Sequence, residues 1–166
     1  MKEFHLIQRP AVSSIRTEDD LVSACMALLG SGATLTSAER ERVRSTQSFL
    51  DFFVDELQQE IRSGNDPLGL ALSRIRSEEQ RRGLGAVYTP EDIVESMLKW
   101  AQSYKPERVV DPGTGSGHFT IGAARYFPHS ELIAVEIDPL AALVLRANLA
   151  VHCLSHPLPS DRGRLP

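Results

Sequence analysis

The sequence predicts an α/β unit with a parallel sheet, preceded by an α-helical region, and three observations carry that expectation. From Thr89 onward the patterns alternate helix, strand, helix, strand, helix, the order that builds parallel strands joined by crossover helices. Before the glycine pair in Arg82-Gly83-Leu84-Gly85 the signals are helical only, so the chain changes character there. A glycine-rich turn, Asp111 to Gly117, then separates the first strand from the next helix.

Thr17 followed by Glu18, Asp19 and Asp20 starts a helix, because a hydroxyl cap and acidic first-turn residues satisfy and complement its unpaired N–H groups. That helix runs to Leu28 or Leu29 and stops at Gly30-Ser31-Gly32. Thr36-Ser37-Ala38-Glu39 is a capping-box pattern. It opens a long amphipathic helix carrying Val43, Leu50, Phe53, Val54, Leu57 and Ile61 and ending near Gly64. Asp66-Pro67 begins a third helix reaching about Arg82. Thr89-Pro90-Glu91-Asp92 caps a fourth, which carries Ile93, Val94, Met97, Leu98 and Trp100. Arg108 to Asp111 reads as a short buried strand, Gly113 to Phe127 as turn plus helix, and Glu131 to Glu136 as a second strand. Asp138-Pro139 caps a final helix extending to about Leu154.

The chain has 166 residues, of which 42% are hydrophobic, enough for one ordinary globular domain or a small domain with a helical extension. Its net charge is -4. That excludes a histone-like protein that coats DNA, which needs an excess of Lys and Arg to displace counterions. No apolar run nears the roughly 20 residues that span a bilayer. Met1 to Pro10 also lacks a signal-peptide pattern, so a cytoplasmic location is expected. Cys25 and Cys153 are too few for a disulfide framework and read as small buried residues.

The chemistry is concentrated in Asp111-Pro112-Gly113-Thr114-Gly115-Ser116-Gly117. Its glycines let the backbone turn sharply and approach a ligand closely. The spacing is not that of the dinucleotide fingerprint, and Asp111 would repel a pyrophosphate while welcoming an amino group. Nineteen residues past Gly117 the second strand ends in Glu136, a carboxylate suited to accept hydrogen bonds from a ribose hydroxyl pair. A nucleoside carrying an amino acid is the ligand these features imply. The stretch resembles the first two motifs of class I methyltransferases that use S-adenosylmethionine, and therefore implies the start of their Rossmann-like sheet.

Gly85-Ala86-Val87-Tyr88-Thr89-Pro90 stands about twenty residues upstream, ahead of the Asp-Pro-x-x-Gly-x-Gly-x-Phe element and of Val135-Glu136-Ile137-Asp138-Pro139. This order resembles the gamma-order N-6 adenine DNA methyltransferases of restriction-modification systems, over roughly residues 81–154. By that resemblance Tyr88, Thr89 and Pro90 flank the methionine end of the cofactor, with Thr89 bonding its carboxylate. Asp111, Gly113, Gly115 and Gly117 hold the amino-acid part, and Phe119 packs beside it. Glu136 holds the ribose, and Ile137 lies near the adenine ring. DNA is then the substrate of the complete enzyme.

Other features read more plainly. His118 is a polar first-turn residue rather than a general base. The arginines from 74 to 82 form a solvated helix face rather than a phosphate contact. His152, Cys153 and His156 lack a fourth ligand for zinc.

The resembling enzymes draw electron density onto the adenine amino group with an Asn- or Asp-Pro-Pro-aromatic loop. No Pro-Pro pair occurs among the 166 residues. The expected organisation is a helical region over 1–82, the cofactor-binding half of a methyltransferase domain over 83–154, and an irregular tail over 155–166. The chain is accordingly read as the cofactor-binding N-terminal portion of such an enzyme, inactive in isolation, truncated or completed by a second chain. The alternative is a noncatalytic S-adenosylmethionine-binding or interaction protein.

Overall fold

A computed structural model of the chain describes residues 14–46, 54–77, 79–80 and 89–155, without the side chains of 153–155. Helix α1 (Glu18–Leu29) is closed at both ends by its own sequence. Thr17 Oγ1 accepts the Asp20 N–H at 3.1 Å and Asp20 Oδ2 accepts the Thr17 N–H at 2.9 Å, a capping box in which Asp replaces the usual longer acid. Gly30, at φ 75°, ends the helix.

The single long helix expected from Thr36 to near Gly64 is instead α2 (Ser37–Arg44) and, after residues outside the described set, α3 (Val54–Arg62). The reason lies in Ser45 and Thr46, whose hydroxyls donate to the Arg42 carbonyl at 2.8 and 3.0 Å. The Thr46 N–H turns to Val43 O at 3.2 Å, so side chains replace the helical ladder and stop it. Helix α4 (Pro67–Ile75) is also shorter than expected. Arg76 leaves the helix at φ -83°, ψ 133° and reaches Asp138 and Glu18.

Helix α5 (Glu91–Gln102) starts after Pro90, with no side-chain cap, so Thr89 does not cap it as expected. It buries Val94 and Leu98 and leaves Ile93, Met97 and Trp100 exposed. Strand β1 (Arg108–Pro112), α6 (His118–Tyr126) and β2 (Glu131–Val135) follow. In α7 (Pro139–Ser155), the Asp138 side chain accepts the Leu140 N–H at 3.1 Å and so caps the helix as expected.

The two strands pair in parallel, with Val110 opposite Ile133 and Asp111 opposite Ala134. Val109 and Leu132 join Val94, Leu98, Ala123 and Phe127 in one apolar cluster under α5 and α6. The opposite face is open: Val110 and Val135 are each 54% exposed. The expectation of a buried strand at Arg108–Asp111 is therefore corrected to a strand half-buried on one face and exposed on the other, because helices cover only one face among the described residues.

A larger core joins the first half of the chain to the last helix. Leu140, Leu143, Val144, Ala147 and Val151 of α7 recur at helical spacing and pack with Leu21, Cys25, Leu57, Ile61 and Leu68. Burial pushes the Cys25 thiol up from its ordinary pKa, as suits a core residue. Because α7 leaves directly from the end of β2, this core fixes the position of the glycine loop relative to α1–α4. No helix among the described residues is long and apolar enough to cross a membrane.

Candidate cofactor site

Asp111 and Pro112 end β1, and the chain turns through Gly113, Gly115 and Gly117 at φ 83°, 58° and 98°. The N–H groups of Gly113 and Thr114 both donate to Val135 O, at 2.8 and 3.1 Å. The loop is thereby tied to the end of the neighbouring strand. Asp111 Oδ2 accepts the Thr120 hydroxyl at 2.7 Å, and Thr114 Oγ1 lies 2.8 Å from Thr120 Oγ1. Since Thr120 has one hydroxyl proton and gives it to the carboxylate, Thr114 is the donor of the second bond. This relay orients Asp111 from the first turn of α6.

Glu136 stands across the loop from Asp111. Its Oε2 accepts the Gly115 N–H at 2.7 Å and its Oε1 accepts the Asp138 N–H at 2.8 Å. Each oxygen keeps a further acceptor site, and the residue is half-buried. Ile137 beside it is 86% exposed. A carboxylate and a bare apolar side chain thus sit together at the end of β2.

The three glycines have two different jobs. A Cβ on Gly113 or Gly115 would meet no atom within 4 Å, so positive φ and an open approach define those two. A Cβ on Gly117 would run into Leu145 of α7, so packing between α6 and α7 requires a glycine there. Gly117→Ala is expected to lower stability by roughly 2–4 kcal/mol, the sum of left-handed strain and overpacking. Gly115→Ala should lose only the backbone part, about 1–2 kcal/mol. Urea unfolding of both variants checks the ranking, and an equal loss would contradict the division of roles.

Among the other expected site residues, Thr89 is half-buried and Pro90 exposed just before α5, while Tyr88 lies outside the described residues. Phe119 is half-buried against the cluster under α5 and α6. With Asp111 it lines a small cavity of about 90 Å³. His118 begins α6 and lines a groove of about 370 Å³ between α5 and α6.

Of the arginines from 74 to 82, Arg74 is exposed, but Arg76 departs from the expected solvated face. Its side chain is 12% exposed and paired with Asp138, and this bond is the main reason its pKa rises. No cluster of three His, Cys, Asp or Glu side chains fit to hold a metal occurs among the described residues. Asp66, Thr120 and Asn148 also belong to the site and carry no signature of it in the sequence. Asp66 was visible only as a helix cap before Pro67, and no spacing marked the other two.

The architecture and the loop define a mixed α/β protein whose glycine turn and acidic strand end meet at one end of a parallel strand pair. The chain belongs to the N-6 DNA Methylase family, whose family model matches residues 71–157, just over half of it. It is 40% identical over 148 residues to the Type II methyltransferase M.XamI of Xanthomonas campestris pv. amaranthicola, a match covering 82% of this chain and 26% of the relative. A match of that extent cannot avoid the helical region ahead of the family segment. M.CvrRI, a Type II methyltransferase of Paramecium bursaria Chlorella virus XZ-6E, is 30% identical over 70 residues, covering 42% of this chain and 18% of that one. The methyltransferase str3 of Strobilurus tenacellus is 34% identical over 61 residues, covering 36% and 22%. The chain thus spans about a fifth to a quarter of the length of these relatives. No solved structure matches.

Proposed function

We propose that this chain is the S-adenosylmethionine-binding portion of a site-specific N-6 adenine DNA methyltransferase, and that its strand pair begins a Rossmann-like class I sheet. The observation that carries the reading is Glu136, held by the Gly115 and Asp138 N–H groups with acceptor capacity left over. Glu136 then suits a ribose, the open glycine turn on one side an amino-acid tail, and exposed Ile137 on the other an adenine ring.

When bound, S-adenosylmethionine supplies a methyl group activated by its sulfonium. The chain's own residues bind and orient. Asp111, fixed by Thr120, would take the amino group, and Gly113 and Gly115 would let the backbone approach the tail. Glu136 would accept the ribose hydroxyls and so orient the nucleoside. Tyr88, Thr89, Pro90 and Phe119 are assigned the methionine end, and Gly117 holds the loop against α7. In this division of labour residues 1–82 support the site and 83–154 form it.

Adenine activation needs the Pro-Pro-aromatic loop, which this reading assigns to further polypeptide. The open sheet face with Val110, Ile133 and Val135 supports that assignment, since parallel sheets are normally covered on both sides. The test is to read the flanking DNA for an Asn-Pro-Pro-aromatic segment, then co-express it with this chain and assay methyl transfer to adenine in duplex DNA. Transfer that requires both parts is expected. No such segment within several kilobases on either side would contradict the enzyme reading, and cofactor binding without it would favour a noncatalytic binding protein.

A further inference from the structure

We infer that Asp66, in the helical region, is a positioning residue for the glycine loop, so that this region sets the order of the cofactor site. The inference rests on the cofactor reading only for its affinity consequence. Asp66 precedes α4, and its Oδ1 accepts the Gly69 N–H at 2.8 Å. Its other oxygen, Oδ2, accepts the hydroxyl of Ser116 at 2.6 Å. Ser116 lies inside the loop, between Gly115 and Gly117. A carboxylate fifty residues away in sequence therefore grips the most conformationally permissive stretch of the chain.

Asn148 of α7 closes the triangle. Its Nδ2 donates to Asp66 Oδ1 at 2.9 Å and to Ser116 O at 3.1 Å. Both partners are acceptors, so the amide orientation is fixed. That orientation leaves Asn148 Oδ1 buried without a hydrogen-bond partner. A buried acceptor left unsatisfied is unfavourable, and the arrangement is consistent with Asn148 being kept for its two donors.

Gly69 gives independent support. A Cβ there would collide with the Asp66 carboxylate and lie 2.5 Å from Ser116 Oγ. Glycine inside a helix is unfavourable, but at this position any side chain would wedge Asp66 and Ser116 apart. Cap, amide and glycine all converge on one contact between α4, α7 and the loop. Held this way on one side and by Val135 and Glu136 on the other, the loop is ordered before a ligand arrives, which reduces the entropy lost on binding.

The test uses Asp66→Ser, which keeps a helix cap but is too short to reach Ser116, and Asp66→Asn, whose amide still reaches it. Gly69→Ala leaves every bonding group in place and separates them. Two readouts are taken on the 166-residue chain: amide hydrogen exchange over residues 113–117, and affinity for S-adenosylmethionine against methylthioadenosine, which lacks the amino-acid tail. Asp66→Ser and Gly69→Ala should exchange faster in the loop and bind S-adenosylmethionine about tenfold more weakly, with methylthioadenosine unchanged. Asp66→Asn should stay near wild type. A cooperatively folding Asp66→Ser with wild-type loop exchange would overturn the inference, as would an equal loss for both ligands. If the wild type bound neither ligand, the cofactor reading would fall, while loop exchange would still decide the role of Asp66.

Discussion

Glu136→Ala is expected to weaken S-adenosylmethionine binding about a hundredfold. Two charge-assisted bonds to the ribose would be lost, each worth roughly 1.5–3 kcal/mol, partly offset by water. The substitution also removes the acceptor of the Gly115 and Asp138 N–H groups, so the loop loses one of its ties to the end of β2 and keeps those to Val135 O. Glu136→Gln keeps one acceptor oxygen and should lose about tenfold. Calorimetric titration separates the variants. A folded Glu136→Ala chain that binds as tightly as the wild type would remove the carboxylate from the site.

The second large effect falls on stability. Arg76 and Asp138 are 12% and 10% exposed and form a direct ion pair, with Glu18 beside the guanidinium at 3.4 Å. Arg76→Ala strands the Asp138 carboxylate at the start of α7 and should destabilise by about 2–4 kcal/mol, below the fully buried limit because both side chains keep some solvent contact. Asp138→Asn retains an oxygen to cap Leu140, and adding it to Arg76→Ala should recover part of the loss by removing the stranded charge. The Arg76 pKa is raised by its bond to Asp138. The arginine side of this contribution is therefore present below the unfolded arginine pKa and is lost as pH climbs through the still higher folded value. Urea midpoints of the single and double variants provide the cycle. A change within about 0.5 kcal/mol for Arg76→Ala would show that the pair is dispensable.

What could be read from the sequence was what local chemistry decides. The Thr17 helix start, the Thr36 capping box, the Gly30 stop, the Asp138-Pro139 helix start and the glycine turn all depend on neighbours within a few residues. The break after Arg44 escaped because the apolar spacing continues through it, while two hydroxyls take the helix carbonyl. The early end of α4 escaped for a different reason: Arg76 turns away toward Asp138, sixty-two residues on. Val109-Val110 reads as buried by composition, but exposure on the sheet depends on what covers each face. Asp66, Ser116 and Asn148 meet only in the fold, so their partnership had no signature in spacing.

On the proposed function, the 166-residue chain carries a formed S-adenosylmethionine site at the ends of β1 and β2. Isothermal titration of S-adenosylmethionine into the purified chain tests it most directly. Saturable binding at one site per chain with micromolar affinity, weakened by Glu136→Ala, is expected. A chain that unfolds cooperatively yet gives no binding heat at several temperatures would contradict it.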